Sequence, residues 1–600
     1  MLRRPFPSAR RLVAGLQRTR APARIDRSLA RARPALHRER RQRRAAPRPG
    51  SARGLHDLGR GPRDRLDPAC RLRREDSGRE DPPRRVAPLS RRPARGGFLS
   101  LRQSLPRAAL LAVAALGVAL AFPRTDWEAL VWVALVPLLV TAVSRPVRAA
   151  FGWGWLYGAV YFLVLLRWLD FTFRTYSDIP WPLTWGPTLA LAGYCGLYVG
   201  AVAGAVSWLA GPSIGRALAV SPLLWVGAEW IRGHLFGGFP WGLLGYSQYL
   251  SLPVIQIAEL GGVYAVSLVI VAANAALAGC LVLSRRSALN GVALAGALLV
   301  GTVAFGAWRL SAPAPTGEIR IAIMQPSIEQ PLKFVPGHAA ETVGIYLALT
   351  RGAGAERPQL IVWPETALPT PLRRDPELAR TLESLSAAVD AALLVGSIDV
   401  EGKAPPKLRN SAFLLTERGI VGRYDKIRLV PFGEFVPLSG LIGFVRSWAQ
   451  FIAELEPGSR ASVFSGPPAP FAVVICYEGI FPELVRELVS GGARLIVNMT
   501  NDAWFGRTAG PWQHLAMYPF RAVEHRVAVV RAANTGVSAF ILPSGHIGRH
   551  TALFERTVLT EPVPLRAGET IYSRFGDWLA YLAFGVSGAS LALRAWRRAA

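Results

Sequence analysis

The chain has 600 residues, of which 51% are hydrophobic and 18% charged, with 18 tryptophans and a formal net charge of +30. That balance excludes an ordinary water-soluble globule and points to a membrane protein. The charge does not describe the whole chain, because 29 arginines against nine acidic residues in the first hundred positions supply +20 of it.

Residues 1–104 are rich in arginine and proline and too poor in apolar side chains to offset the entropy of ordering, so they read as a disordered tail. The first hundred positions hold no lysine and no interleaved aromatic run. No nucleic-acid partner is read from them.

Seven apolar stretches follow, at 105–122, 127–143, 149–169, 183–210, 217–230, 255–283 and 288–308, with an eighth at 578–593. Most match the roughly 20 residues a bilayer core requires; 105–122 and 217–230 are marginal. Every second connection is positive: Arg145 and Arg148, then Arg216, then Arg285 and Arg286, and finally Arg594, Arg597 and Arg598. The intervening turns mix charges or carry acids: Arg124, Asp126 and Glu128, then Asp170, Arg174 and Asp178. Lys/Arg enrichment marks cytoplasmic loops, so seven spans place the block after residue 311 on the outer side and the eighth returns the chain. The expected organisation is a tail (1–104), a seven-helix membrane domain (105–311), an outer domain (312–570) and a final membrane helix with a cytoplasmic end (574–600). Arg167, Glu229 and Glu259 fall within apolar stretches, where a charge marks either function or an interface.

After residue 318 the pattern changes to short apolar runs separated by helical segments. Strands are predicted at 319–324, 360–363, 392–397, 411–416, 471–476, 495–499, 527–532 and 539–542, and helices at 338–350, 376–391, 482–490 and 512–525. This alternation predicts a two-layer or sandwiched α/β domain.

Three segments end strand-like runs on reactive side chains: Ile361-Val-Trp-Pro-Glu365, Gly422-Arg-Tyr-Asp-Lys426 and Val474-Ile-Cys476. Cys476 has no second cysteine in its own domain, since Cys70, Cys195 and Cys280 lie in the tail or in apolar stretches. It is therefore a candidate nucleophile, the alternative being a small buried hydrophobe. Glu365 could take its proton, and Lys426 could stabilise both the thiolate and a tetrahedral oxyanion. Singly, either charge could be a salt-bridge partner; their shared placement past strand ends favours chemistry. The eight histidines form no ligand-spaced cluster, so neither a metal nor a cofactor is expected, and His514 reads as a structural hydrogen bonder.

Between the lysine and cysteine motifs, Leu441, Phe444, Val445, Trp448, Phe451, Ile452 and Leu455 recur at helical spacing. The segment is either a core helix or a membrane-dipping arm. Its position outside the strand-helix alternation favours the arm.

Trp363-Pro-Glu365-Thr-Ala, Tyr424-Asp-Lys426, Pro431-Phe-Gly-Glu434-Phe-Val-Pro437 and Cys476-Tyr-Glu478 resemble the Glu-Lys-Cys signatures of the nitrilase superfamily. With the membrane block, the Phe239-Pro-Trp241 turn and the segment from Asn498 to Gly506, residues 105–598 resemble the bacterial apolipoprotein N-acyltransferases. The resemblance implies a multi-pass α-helical membrane domain joined to a nitrilase-like α-β-β-α sandwich, in the inner membrane with the catalytic domain periplasmic. It implies Cys476 as acyl-accepting nucleophile, Glu365 as base and Lys426 as electrostatic stabiliser, with Glu434, Tyr477 and Glu478 in support. The implied partners are a membrane phospholipid donor and a diacylglyceryl apolipoprotein acceptor. Phe334, Trp448 and Phe451 would meet the entering lipid. Where the family pattern has a tryptophan after Gln330-Pro-Leu-Lys333, this chain has Phe334, which keeps the aromatic face and lacks the indole donor. Two other readings are a membrane-anchored amidase using the same triad with water, which the apolar arm opposes, and a catalytically silent lipoprotein-binding scaffold, which the intact Glu, Lys and Cys oppose.

Overall fold

A computed structural model of the chain describes residues 97–312, 317–333, 335–402, 406–436, 454–465, 469–566 and 568–599. Most of the expected tail, Phe334, and the arm residues Trp448 and Phe451 lie outside the described residues. The first helix, Gly97–Leu120, begins inside the stretch assigned to the tail.

Among the described residues, Trp185–Ala210, Val263–Val282, Arg285–Leu310 and Trp578–Ala599 are long and apolar enough to cross a bilayer. Val147–Leu165 with Trp168–Tyr176, bent by 57°, makes a fifth if the pair is one span. The other expected spans are shorter or more polar: Leu105–Leu120 and Glu128–Ser144 are short apolar helices, and Ile214–His234 carries Arg216, Glu229 and Arg232. The stretch 255–283 is not one helix. It breaks into Leu252–Ile255, Ala258–Gly261 and Val263–Val282 around Gly262, whose φ of 68° suits glycine and whose Cα faces the Tyr572 ring too closely for a side chain.

Small residues let the membrane helices approach. A Cβ at Gly158 would lie 2.8 Å from the Cα of Gly196, and one at Gly196 would lie 2.8 Å from the Trp155 carbonyl, so Val147–Leu165 and Trp185–Ala210 meet backbone to backbone.

Residues 318–564 build two six-stranded sheets. The first comprises β1 (Glu318–Gln325), β2 (Leu360–Val362), β3 (Ala392–Glu401), β4 (Lys407–Thr416), β5 (Gly419–Asp425) and β12 (Thr557–Pro564), in the order β12-β1-β2-β3-β4-β5. The second comprises β6 (Val463–Phe464), β7 (Phe471–Ile475), β8 (Leu495–Thr500), β9 (Ala528–Ala533), β10 (Ala539–Ile541) and β11 (Ile547–His550), in the order β11-β10-β9-β8-β7-β6. β1, β2 and β3 run parallel, as do β7, β8 and β9, with antiparallel strands outside them.

Alternation along each strand divides the side chains between two faces. Ile321 and Ile323 of β1 meet Val473, Val497 and Val530 between the sheets. Ala322 and Met324 turn outward, under the helices Ala339–Gly354 and Pro376–Val389. On the second sheet, Val474, Ile496 and Val529 turn outward into a core that also contains Tyr161, Trp241 and Tyr264 of the membrane helices and their connections. The result is a helix-sheet-sheet-helix sandwich whose second helical layer is fused to the membrane domain.

Polar contacts lock that junction. Glu259, expected within a span, accepts from Arg309 at 2.7 Å and from Arg526 at 2.5 Å. Glu524 accepts from the Val263 N–H at 3.0 Å, placing a carboxylate at the start of a membrane helix, where backbone donors have no helical partner. Glu229 is buried and accepts from the Trp225 indole and the Leu244 N–H, holding the turn that follows Ile214–His234. Arg167 is exposed at the 57° bend.

All eight predicted strands form. The helix predicted at 512–525 is two, Gly510–Leu515 and Tyr518–His525, because Pro519 cannot donate the hydrogen bond a continuous helix needs.

Candidate active site

The three strand-end residues converge where the two sheets meet. Glu365 follows β2 by a short turn in which Thr366 takes φ 49°, a left-handed value unusual for a β-branched residue. One oxygen of its carboxylate accepts from Asn410 at 2.7 Å and Lys426 at 3.2 Å; the other accepts from the Asn501 N–H at 2.8 Å. Lys426 is the first residue after β5, and its N–H is fixed to the Asn410 carbonyl at 2.8 Å. Its ammonium, 1% exposed, also donates to Glu434 at 2.8 Å. Burial alone would push its pKa down, but Glu365 and then Glu434 outweigh burial and hold the ammonium well above the usual lysine range.

Glu434 completes the pair. It accepts from the Val430 N–H at 2.8 Å and from Asn410 at 3.3 Å, so one asparagine bridges both carboxylates. Glu478 is fully buried. Its two oxygens accept from Tyr424, the N–H groups of Ile427 and Arg428, and the N–H of Ile475, which ties the lysine loop to the cysteine turn. Burial raises its carboxyl to about 7.

Cys476 ends β7 and opens the 3₁₀ turn Cys476–Ile480 with φ 54°, a strained left-handed value for a side-chain-bearing residue. Its side chain is partly buried, packed against the core between the sheets. Burial, then the Glu365 charge, pushes the thiol up, and Lys426 pulls against them. The resting group is therefore a thiol, and ionising it needs a base at hand. Tyr477 turns toward the membrane domain, its hydroxyl donating to the Gly238 carbonyl at 3.3 Å.

Behind the cysteine lies a cluster that the sequence reading did not assign. The Cys476 carbonyl accepts from the Tyr518 hydroxyl at 3.1 Å and the Asn498 amide at 3.3 Å. Arg531, fully buried, holds Asn498 at 2.7 Å and pairs with Asp502 at 2.5 Å. His514 sits 3.1 Å from Asp502 and 3.2 Å from the Tyr518 hydroxyl, in the structural role expected of it. Burial would raise Asp502, but Arg531 and then His514 outweigh it and hold the carboxyl at about 2.

The next residue, Gln513, couples this cluster to the membrane domain. Its carbonyl accepts from the Trp168 and Trp241 indoles at 3.1 and 2.9 Å, and its amide donates to the carbonyls of Pro123 and Leu165 at 3.2 and 3.1 Å. Asn410, Asn501, Asp502, Gln513 and Arg531 gave no isolated signal in sequence. Asn501 and Asp502 fall inside the segment that carried the resemblance, and the rest are ordinary polar residues until the fold assembles them.

Among the described residues no group of His, Cys, Asp and Glu could hold a metal ion. The arrangement offers a buried carboxylate-ammonium-carboxylate array beside a thiol, the elements of covalent acyl chemistry.

Comparison with known proteins adds two family models in chain order: residues 114–276 match the apolipoprotein N-acyltransferase N-terminal domain, and residues 320–572 match carbon-nitrogen hydrolase. The apolipoprotein N-acyltransferase of Geobacter metallireducens is 40% identical over 507 residues, 82% of this chain and 96% of that protein. That of Gloeobacter violaceus is 36% identical over 474 residues, 76% of this chain and 88% of that protein. Among solved structures, a mutant of the Nesterenkonia AN1 amidase from the nitrilase superfamily aligns at 20% identity and a TM-score of 0.32, over 45% of this chain and 95% of its own. With both family models matched in order and relatives aligned along nearly their whole length, the chain belongs to the apolipoprotein N-acyltransferase family.

Proposed function

We propose that the protein moves an acyl chain from a membrane phospholipid to the N-terminal α-amine of diacylglyceryl-cysteine apolipoproteins, through a thioester on Cys476. The supporting observation is the Lys426 ammonium, held between Glu365 at 3.2 Å and Glu434 at 2.8 Å in the site that Cys476 enters.

In the first step Glu365 takes the thiol proton and the sulfur attacks the ester carbonyl carbon. Lys426 and the Tyr477 N–H bear the oxyanion, the ester C–O bond breaks, and Glu365 returns the proton to the departing lysophospholipid oxygen. In the second step the α-amine nitrogen attacks the thioester carbonyl and the C–S bond breaks. The amine proton passes through Glu365 to the sulfur. Glu434 keeps Lys426 in place, and Glu478 keeps the lysine loop against the cysteine turn. The catalytic part faces the periplasm, with the membrane helices in the bacterial inner membrane. Phe334, Trp448 and Phe451 meet the entering acyl chain. Substrates of two or three acyl chains favour such an arrangement, because each buried CH₂ holds them in the bilayer by about 0.8 kcal/mol.

The test is incubation of the full chain, in vesicles, with phospholipid and no acceptor. A single stable acyl adduct on the Cys476 peptide, detected by mass spectrometry and absent from Cys476→Ser, is expected. Continuous fatty-acid release would assign a hydrolase instead, and an acylated Cys476→Ser variant would remove the cysteine from the mechanism.

A further inference from the structure

The proposed reaction uses one lysine, yet the structure buries two beside the base. Lys333 is 1% exposed, and its ammonium donates to the main-chain carbonyl of Glu365 at 2.9 Å. That carbonyl belongs to the turn in which Thr366 takes φ 49°, packed so closely on Gly396 that a Cβ there would strike the Pro364 carbonyl oxygen. A strained turn keeps its shape only when its surroundings over-determine it. The same segment also reaches the carboxylate end of Glu365. Gln330 accepts from the Asn501 side chain at 2.7 Å, and the Asn501 N–H donates to the Glu365 carboxylate at 2.8 Å. Residues 330 and 333 thus fasten both ends of one glutamate.

Charge gives the second lysine a further role. The site contains two carboxylates, Glu365 and Glu434, and Lys426 touches both. Once the thiol proton has moved to Glu365, the sulfur and Glu434 carry two negative charges against the single ammonium of Lys426. Lys333 faces Glu365 and Cys476; Cys476 in turn faces Glu365, Lys426, the Tyr518 hydroxyl and the Asp502–Arg531 pair, whose two charges offset each other. Burial draws the Lys333 ammonium down to about 8, with Glu365 and then Cys476 pulling it back up, so it still carries a proton through most molecules at neutral pH.

We propose that Lys333 is a positioning residue for acyl transfer: its ammonium fixes the main chain of the Glu365 turn and supplies the second positive charge that lets Cys476 exist as a thiolate. This rests on the reading of Cys476 as the nucleophile.

The test follows iodoacetamide alkylation of the Cys476 peptide against pH in full-length Lys333→Met, alongside acyl-adduct formation from phospholipid and the melting curve. The alkylation profile should move upward by about one pH unit, a tenfold loss of thiolate at fixed pH. Acylation should fall at least as far at neutral pH and recover at high pH. Lys333→Arg, which keeps the charge, should restore the parent profile. An unshifted profile in Lys333→Met overturns the proposal whatever the acylation rate, because a merely structural lysine would lower activity without moving the thiol. If Lys333→Met does not melt cooperatively, Lys333→Gln, which keeps a donor for the Glu365 carbonyl and loses the charge, carries the same expectation and the same refutation. Failure of the underlying reading looks different: Cys476→Ser would then form adduct, while the alkylation profiles would still report on Lys333.

Discussion

The first sheet brings charge to the site, and the second brings shape. Glu365, Lys426 and Glu434 come from strands and loops of the first sheet and make a dense ionic array in which each carboxylate is also gripped by Asn410. Cys476 comes from the second sheet, bent to φ 54°, and its carbonyl is held by uncharged donors whose own positions depend on Arg531 and Asp502. The difference teaches where each half is vulnerable. Losing a member of the array removes a group placed to meet the substrate, whereas losing a member of the cluster behind the thiol unpairs a buried charge and reaches the reaction only through the position of Cys476.

The largest expected effect follows from that asymmetry. Asp502→Asn leaves the Arg531 guanidinium buried with a neutral partner, and breaking such a pair costs about 3–5 kcal/mol. Chemical denaturation in detergent should show it as a loss of stability at neutral pH. The sign with pH is fixed: the carboxyl is held at about 2 against an ordinary 3.8, so its contribution is complete above 3.8 and fades as pH falls toward 2. Parent and variant should therefore converge in acid. A constant gap down to pH 2 would break the comparison, because it would mean that the ion pair contributes nothing. Lys426→Met comes next, and it acts on the array alone. Acyl transfer in the folded variant should drop by about 10²–10³-fold, the loss typical of one oxyanion donor, beyond whatever stability is lost by leaving Glu365 and Glu434 without their ammonium. Unchanged transfer in the folded variant would make Lys426 part of the scaffold. The smallest effect sharpens the second half. Tyr518→Phe removes one donor from the Cys476 carbonyl and one neighbour from His514, worth about 1 kcal/mol and up to about fivefold in acylation rate. No change in rate would show that Asn498 alone holds the strained cysteine.

How much of this was legible in the sequence follows the same division. The eight strands predicted from apolar runs are the interior strands of both sheets. The four edges are β5, legible only as the strand-like run that leads to Lys426, and β6, β11 and β12, which are not predicted. An edge strand has one unpaired side and is often polar or broken by proline, as in Ile547–His550 and in Thr557–Pro564 with its two prolines, so the apolar signal is absent there. The charged residues of the site were legible because reactive side chains past strand ends are few. Lys333 and Asp502 were not singled out, since a lysine after an irregular loop or an aspartate before a tryptophan carries no local mark of burial. The membrane domain shows the converse. Its apolar stretches were plain, yet the break at Gly262 is dictated by the Tyr572 ring, from a segment more than three hundred positions later in the chain.

Gln513 lies beside the cluster that holds the Cys476 carbonyl and is gripped by two tryptophans and two carbonyls of the membrane domain. The chemistry is therefore not a detachable head on an anchor. A fragment starting at β1 would bare Phe520, which packs edge-on against Tyr246, and leave the Gln513 amide without its carbonyl acceptors. Selection for a freely diffusing descendant of this enzyme would have to rebuild the helical layer over the second sheet before it could dispense with the membrane helices.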